Sequence, residues 1–203
     1  MELVINFSGG KDSTAMLTHL RERYPHLPAH VVFADTGWEH DGAEEWCRAI
    51  VSRFSLPLHV VRNPHKDFFQ MVRQRGKFPS LAYRQCTSDL KRDPIATWIR
   101  RNTSDPVVIN CIGLRAEESI ARARRLPLSR DRRLTTRTHT VWTWLPIHAW
   151  TEQQVRAYLA ERDIPLHPVY QYLNRFSCQI CIGMSRRDLV AVKTHNQIAF
   201  RRI

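Results

Sequence analysis

The segment Ser8-Gly9-Gly10-Lys11-Asp12-Ser13 restricts the fold of this chain more than any other part of its sequence. An apolar run precedes it at residues 2–7, and residues 14–24 after it have helical spacing. The two glycines let backbone N–H groups turn inward without a Cβ clash, and the positive end of the following helix attracts anions. The segment therefore predicts a strand, a phosphate-binding loop and a helix in immediate succession.

The rest of the chain alternates between strand patterns and helical patterns. Strands are predicted at residues 2–7, 30–34, 58–61, 107–112 and 141–147, and helices at residues 14–24, 41–54 and 151–162. This order predicts an α/β fold with a doubly wound, mainly parallel sheet, formed by residues 1–203 as a single domain. Ser8, Asp35 and Arg115 each follow a predicted strand. We expect them to converge, because such sheets bind ligands at the carboxyl ends of their strands.

The loop carries side chains suited to phosphate. Lys11 supplies a positive charge, Ser8 and Ser13 supply hydroxyl donors, and Asp12 is placed to hold a phosphate-bound Mg²⁺ through water. The spacing differs from the Walker P-loop, which has four residues between its first glycine and the Gly-Lys pair. It matches the SGGxDS loop of the ATP pyrophosphatases, which cleave ATP between the α and β phosphates.

Four later segments, in order, resemble the phosphoadenosine phosphosulfate (PAPS) reductase family of the adenine nucleotide α-hydrolase superfamily, over residues 3–190. They are Asp35-Thr36-Gly37, Arg84-Gln85-Cys86-Thr87 with Lys91 and Pro94, Gly113-Leu114-Arg115 with Glu118-Ser119, and residues 165–181. The resemblance implies that the loop binds the phosphates of ATP and that the Asp35–Gly37 turn lies against the nucleoside. It also implies that Arg115 contacts a phosphate or sulfate and that Lys11, Asp12 and Arg115 are catalytic.

The five cysteines predict metal or thiol chemistry, since an odd number argues against a disulfide framework. The resemblance implies a 4Fe–4S cluster held by Cys86 together with Cys178 and Cys181, which lie in a C-terminal cysteine-containing segment. The family pattern has two adjacent cysteines where this chain has Cys86-Thr87, so three thiolates are present where four are usual. Four readings stay open: an iron open to substrate, Cys111 as the fourth ligand, zinc bound by the three thiolates with His167, or no metal. Cys111 and Cys47 have the surroundings of core residues.

The net charge of +12 favours an anionic partner, with nucleic acid first. Residues 115–137 hold eight arginines and three acidic residues, and we predict that six of those arginines contact nucleic acid: Arg122, Arg124, Arg125, Arg130, Arg132 and Arg133. The alternative is a solvated basic surface. No run of 18 apolar residues and no signal-peptide pattern is present, so we expect a cytoplasmic protein without a membrane partner. Oligomeric state is left open.

These observations predict an enzyme that adenylates an acceptor with ATP for sulfur transfer, with nucleic acid as the acceptor and a sulfur donor protein as a further partner. Two departures separate it from the sulfonucleotide reductases that it resembles. The last residues carry no Glu-Cys-Gly motif, and the phosphate loop is intact, whereas those reductases tend to have a degenerate loop. The alternatives are a reductase of PAPS or its unphosphorylated analogue, and a nucleic-acid-binding module that is regulated by a nucleotide.

Overall fold

The computed structural model describes residues 1–176 and 178–202 of the chain. Within these residues a six-stranded sheet has the order β3-β2-β1-β4-β6-β5. The strands are β1 Glu2–Phe7, β2 Ala29–Ala34, β3 Leu58–Val61, β4 Val107–Ile112, β5 Leu128–Arg130 and β6 Thr140–Trp144. Neighbouring strands are parallel except for β5, which pairs antiparallel with β6. The prediction of a mainly parallel α/β sheet is confirmed.

Helices cover both faces of this sheet. They are α1 Lys11–Arg23, α2 Ala43–Ser52, α3 Phe68–Arg75, α4 Gln85–Thr87, α5 Asp93–Asn102, α6 Ile120–Ala123, α7 Glu152–Ala160, α8 Arg186–His195 and α9 Gln197–Phe200, with a π-helical turn at Ser88–Arg92 that joins α4 to α5. Because side chains alternate along a strand, Ile5 faces the core formed with α1, α2 and α7, whereas Val4 faces α5. The sheet is therefore doubly wound.

Several element boundaries differ from the sequence prediction. Helix α1 begins at Lys11, three residues early, because the helix continues directly out of the glycine loop. Strand β6 ends at Trp144, before Pro146, whose nitrogen cannot donate to a neighbouring strand. The prediction for residues 151–162 is close to α7, and Thr151 caps that helix by accepting the N–H of Gln154. Strand β5 and all helices other than α1, α2 and α7 were not predicted.

Among the described residues, no helix combines the length and the apolar character needed to cross a bilayer.

Candidate active site

The candidate site lies where β1 and β4 run side by side and the chain turns away in opposite directions. The phosphate loop follows β1, and Gly113-Leu114-Arg115 follow β4. A Cβ on Gly113 would lie 3.1 Å from the backbone nitrogen of Ser13, so the two loops are in direct contact. Crevices of this kind, at the carboxyl ends of strands where the order reverses, are the usual ligand sites of open α/β sheets.

The conformation of the loop depends on its first glycine. Gly9 has φ of +73°, and a Cβ there would lie 2.8 Å from both Cys47 Sγ and Phe176 Cε1. Trp46 closes the same side by donating its indole N–H to the Gly9 carbonyl at 3.0 Å. The Ser13 hydroxyl donates to the Gly10 carbonyl at 2.9 Å. These contacts hold the loop and the first turn of α1 in one arrangement.

Tyr170 lies over the start of α1. Its hydroxyl accepts the backbone N–H of Lys11 at 2.8 Å, and burial raises the pKa of this tyrosine to about 12. The Phe176 carbonyl oxygen is 3.0 Å from where a Cβ on Gly10 would stand. The segment that runs towards the CxxC pair therefore covers the phosphate loop. The sequence analysis singled out this segment but not the tyrosine, because nothing local to Tyr170 marks a contact with residue 11.

Two buried cations meet beside the loop. Lys11 and Arg115 have side chains that are 5% and 4% exposed. The Arg115 Nε donates to Asp12 Oδ1 at 2.6 Å, and Lys11 Nζ lies 3.5 Å from Asp12 Oδ2. Both cations also approach the carboxylate of Glu152, at 3.8 Å, and Arg115 pairs with Glu117. The structure thus brings the three predicted catalytic residues together, with two carboxylates that the sequence analysis missed.

Arg115 keeps its charge in this setting. Burial lowers the pKa of its guanidinium, but the carboxylates of Asp12, Glu117 and Glu118 raise that pKa by more, so the net pKa is raised. Glu118 also accepts the backbone N–H of Arg115 at 2.9 Å.

The Asp35–Gly37 turn follows β2, which is the neighbour of β1. Asp35 accepts the N–H of Gly37 at 2.8 Å and pairs with Arg62 at 2.6 Å. Both the backbone N–H and the hydroxyl of Thr36 donate to the carboxylate of Glu39, each at 2.9 Å. Burial raises the pKa of Glu39, which the sequence analysis did not identify. The turn is held by its own hydrogen bonds on the strand next to the phosphate loop.

The three predicted metal-binding cysteines surround one ammonium group. Lys91 Nζ lies 3.8 Å from Cys178 Sγ and 3.7 Å from Glu39. Burial lowers the pKa of Lys91, whereas the charges of Cys178, Glu39, Cys181 and Cys86 raise it, and the net pKa is raised. Half-buried thiols around a cation are suitable donors for a cluster or for zinc. Nevertheless, no set of three or more Cys, His, Asp or Glu side chains in residues 1–176 and 178–202 is arranged to hold a metal ion.

Neither of the sequence's other donor candidates joins these thiols. Cys111 lies in the sheet core beside Ile5, and burial raises the pKa of its thiol. His167 stacks on Phe176 with ring centroids 4.2 Å apart, and its Nδ1 accepts the N–H of Val169 at 3.2 Å. Cys47 is buried against the loop, where burial also raises its pKa.

The basic stretch forms α6, β5 and the turns around them. Arg122 pairs with Glu118, and Arg133 pairs with Asp93 at 2.9 Å. Four other arginines of the predicted set have exposed side chains: Arg124, Arg125, Arg130 and Arg132. The six predicted arginines therefore lie on a solvent-facing surface outside the crevice, unlike Arg115 at the start of the same stretch.

Comparison with known proteins agrees with this geometry. A model of the phosphoadenosine phosphosulfate reductase domain matches residues 2–183. A phosphoadenosine 5'-phosphosulfate reductase of Photobacterium profundum is 27% identical over 172 residues, which are 83% of this chain and 62% of that protein. The chain thus spans less than two thirds of that relative's length.

Two solved structures share the fold. FMN adenylyltransferase of Candida glabrata, in complex with FMN and the ATP analogue AMPCPP, has a TM-score of 0.58 at 17% identity over 87% of this chain and 55% of that one. The U34-tRNA thiolase NcsA of Methanococcus maripaludis, with its [4Fe-4S] cluster, has a TM-score of 0.59 at 13% identity over 100% of this chain and 71% of that one. At these identities the likeness shows the fold alone.

Proposed function

We propose, because this chain belongs to the phosphoadenosine phosphosulfate reductase domain family, that its phosphate loop binds ATP and that the protein cleaves it between the α and β phosphates. The cleavage adenylates an acceptor, which sulfur then attacks. The acceptor in this proposal is a nucleic acid, and the sulfur comes from a donor protein.

The proposal rests on Lys11 and Arg115, two cations that share carboxylate partners at the β1–β4 crevice. Two cations with side chains 5% and 4% exposed stand beside a glycine loop and the N-terminus of a helix of 13 residues. Charges are rarely buried unless a partner compensates them. Here the charges of Lys11 and Arg115 are compensated by carboxylates. A helix N-terminus with an arginine and a lysine beside it is suited to bind the oxygens of a triphosphate.

The reaction divides between the two cations. An acceptor oxygen attacks the α-phosphorus, the bond from that phosphorus to the oxygen bridging to the β-phosphorus breaks, and pyrophosphate leaves. Lys11 and the loop N–H groups hold the departing pyrophosphate, while Arg115, positioned by Asp12, neutralises charge that develops on the α-phosphate. A sulfur nucleophile then attacks the activated atom of the acceptor, and AMP leaves with the acceptor oxygen. Mg²⁺ held through water by Asp12 would neutralise phosphate charge.

The thiols near Lys91 belong to the sulfur-handling half of this proposal. Cys86, Cys178 and Cys181 supply three thiolates, and a 4Fe–4S cluster on them would offer an iron without a protein ligand for binding sulfide. The NcsA thiolase, whose structure contains a [4Fe-4S] cluster, has the same fold. Cys178 forms a backbone bridge with Glu39, which supports this role because the bridge holds Cys178 close to the Asp35–Gly37 turn.

The products of ATP cleavage test the proposal. Purified protein incubated with ATP, Mg²⁺ and total RNA or single-stranded DNA should form AMP and pyrophosphate, and Lys11→Ala or Asp12→Ala should lower that rate at least about 100-fold, the scale expected when a preorganised charge contact is removed. Lys193→Ala, an exposed lysine on α8, is the matched control and should keep the rate. Circular dichroism and melting temperature check that each variant folds. Formation of ADP, or unchanged pyrophosphate release in Lys11→Ala, would refute α–β cleavage at this loop.

A second function is supported by the 27% identity to the Photobacterium reductase. In that case the bound nucleotide is PAPS or its unphosphorylated analogue, and a thiol reductant would release sulfite from it. Sulfite release with no pyrophosphate from ATP would select this function over adenylation. Binding of ATP without turnover of either nucleotide would instead indicate a nucleotide-regulated binding module.

A further inference from the structure

An open groove lies between the end of α3 and the start of α4. Its volume is about 490 Å³, and the residues that line it are Arg75, Ala82, Tyr83, Arg84, Gln85 and Ser88. We call it the Tyr83 groove. Its size is within the range of pockets that hold small organic ligands, and a single nucleotide is a ligand of that size.

One wall of the Tyr83 groove is an aromatic ring beside an arginine. Tyr83 is 69% exposed, so its ring is accessible to a ligand in the groove. The guanidinium carbon of Arg75 lies 5.7 Å from the centroid of this ring. Arg75 Nη1 is closed to solvent and has no hydrogen-bond partner in the part of the chain that the structure describes. Arg75 thus has hydrogen-bonding capacity that its described neighbours do not use.

The charged residues of the segment that lines the groove are all basic. Between Asp67 and Asp89 the sequence has no acidic residue and four basic ones: Arg73, Arg75, Lys77 and Arg84. None of the four forms an ion pair within residues 1–176 and 178–202. The carboxylate of Asp89, which ends this stretch, is paired with Lys66 at 2.6 Å. The groove thus offers uncompensated cations to an anion.

The groove also adjoins the thiols. A tight turn, closed by backbone hydrogen bonds in both directions between Ser80 and Tyr83, fixes its outer edge. Leu81 Cδ2 in this turn is 3.7 Å from where a Cβ on Gly183 would stand, two residues beyond Cys181. On the inner side, Gln85 lines the groove and Cys86 follows it directly. The groove is therefore lined in part by the segment that carries Cys86, and the turn at its edge contacts the segment that carries Cys181.

We propose that the Tyr83 groove binds one unpaired nucleotide of the nucleic-acid acceptor, with its base stacked on Tyr83 and its phosphate held by Arg75 and Arg84; this rests on the proposed function. Proteins that bind single strands combine a basic groove with exposed aromatic rings on which bases stack. Chemistry on a nucleotide requires it to leave the helical stack, and a groove beside the sulfur-handling thiols meets that need.

Binding of oligonucleotides without ATP tests the groove. Fluorescence anisotropy would compare labelled single-stranded DNA, single-stranded RNA of the same sequence, and an abasic strand with the same number of phosphates. Tyr83→Leu should weaken binding of the intact strands at least about fivefold but leave binding of the abasic strand unchanged, and Tyr83→Phe should bind as the wild type does. Arg84→Ala should weaken binding of all three strands. The matched control is Tyr24→Leu, a 38% exposed tyrosine that follows α1.

The outcomes separate this proposal from the one on which it rests. If the wild-type protein binds intact strands and Tyr83→Leu binds them equally well, the groove assignment is wrong while a nucleic-acid acceptor stands. If the wild-type protein binds none of the strands at low salt, both the acceptor class and the groove assignment fail. A difference between DNA and RNA that Tyr83→Leu abolishes would support the groove and identify the acceptor. Melting temperatures of all variants should match that of the wild type, because Tyr83, Arg84 and Tyr24 are exposed.

Discussion

Lys11 and Arg115 show how single residues are held charged in the interior. Removing one member of a buried ion pair leaves the other uncompensated and commonly costs about 3–5 kcal/mol. Here the charge is shared among Asp12, Glu117 and Glu152, so each cation keeps a partner when one carboxylate is lost. Arg115→Ala would disturb this arrangement most, since it removes an ion pair from each of the three carboxylates.

His40 provides a pH-dependent test at the same scale. Burial, followed by the nearby His167, lowers the pKa of His40 to about 4, and Asp41 offsets only part of this. In the unfolded chain the His40 imidazole binds a proton below its ordinary pKa of about 6.5, whereas in the folded chain it binds one only below about pH 4. The free energy of unfolding should therefore fall as the pH falls from about 6.5 to about 4. The loss of stability from this group at pH 5 should be about 2 kcal/mol.

We therefore expect His40→Phe, which keeps the stacking on Phe176, to lose less stability than the wild type between pH 7 and pH 5. Urea unfolding at several pH values would measure the difference. His26→Gln, at an exposed histidine beyond α1, should show the wild-type pH dependence. Parallel pH profiles for wild type and His40→Phe would mean that His40 does not titrate as its surroundings require.

Some single residues of the site were predictable and others were not. Lys11, Asp12 and Arg115 follow directly from their positions just past apolar strands, a local signal. Glu152 and Tyr170 reach the loop from more than 140 residues away in sequence, and only the packing of α7 and the final segment against α1 brings them there. No pattern near either residue reports such a contact.

At the scale of elements, the segment from Pro168 to Cys181 joins two sites. It places Tyr170 on the phosphate loop, and its CxxC pair lies near Lys91, which Cys86 approaches from a distant part of the chain. Because metal binding contributes to folding free energy, thiols supplied by two distant segments should connect those segments energetically. The cysteines thus have a structural consequence that can be measured separately from catalysis.

Single replacements Cys86→Ser, Cys178→Ser and Cys181→Ser should each lower metal content and melting temperature together. Protein purified without oxygen would be analysed for iron, sulfide and zinc, which also distinguishes a 4Fe–4S cluster from a zinc site. Cys111→Ser is the matched control: it should lose stability through packing and leave metal content unchanged. Equal metal content in all four variants would rule out the shared site.

The predictability of elements followed the strength of their apolar patterns. Strands β1 to β4 are short, mainly apolar runs between turns. The sequence predicted each of them within one residue of its observed bounds. Helix α3 has only Phe68 and Met71 buried, and it is started instead by a capping box between Asp67 and Gln70. The helical run through α4 and α5 is interrupted by a π-helical turn, which shifts the register of its apolar face. Such features leave little periodicity to detect.

For the whole molecule, the net charge of +12 is distributed so that the crevice holds balanced pairs and the surface carries the excess. Strand patterns and helix patterns alternate along the chain. This alternation predicted the α/β class, the parallel sheet and the strand ends that meet at the site. The edge strand β5 did not, because a three-residue strand in an arginine-rich segment has no apolar pattern of its own.

Salt dependence of nucleic-acid binding tests the basic surface. The logarithm of the binding constant falls linearly with the logarithm of the salt concentration. If Arg124, Arg125 and Arg132 all contact phosphates of a single strand, replacing the three with Ala should make this slope less steep by about 2. The control has the same charge change at exposed arginines elsewhere, namely Arg23, Arg53 and Arg101. Equal slopes for the two triple variants would leave the basic stretch as an ordinary solvated surface.

The hydroxyl of Tyr170 occupies a hydrogen-bond donor at the start of α1 that a phosphate oxygen would otherwise accept. An anion that takes the Lys11 N–H must displace this hydroxyl, and the displaced tyrosine is eight residues from Cys178 on the same stretch of backbone. Binding at two sites is reciprocal. If nucleotide binding at the phosphate loop changes the affinity of the cysteine-bearing segment for its ligand, then that ligand changes the affinity of the loop for nucleotide by the same factor. Nucleotide affinity measured with and without metal on the thiols would give the size of that coupling, and its sign would tell whether the two halves of the reaction take turns or act together.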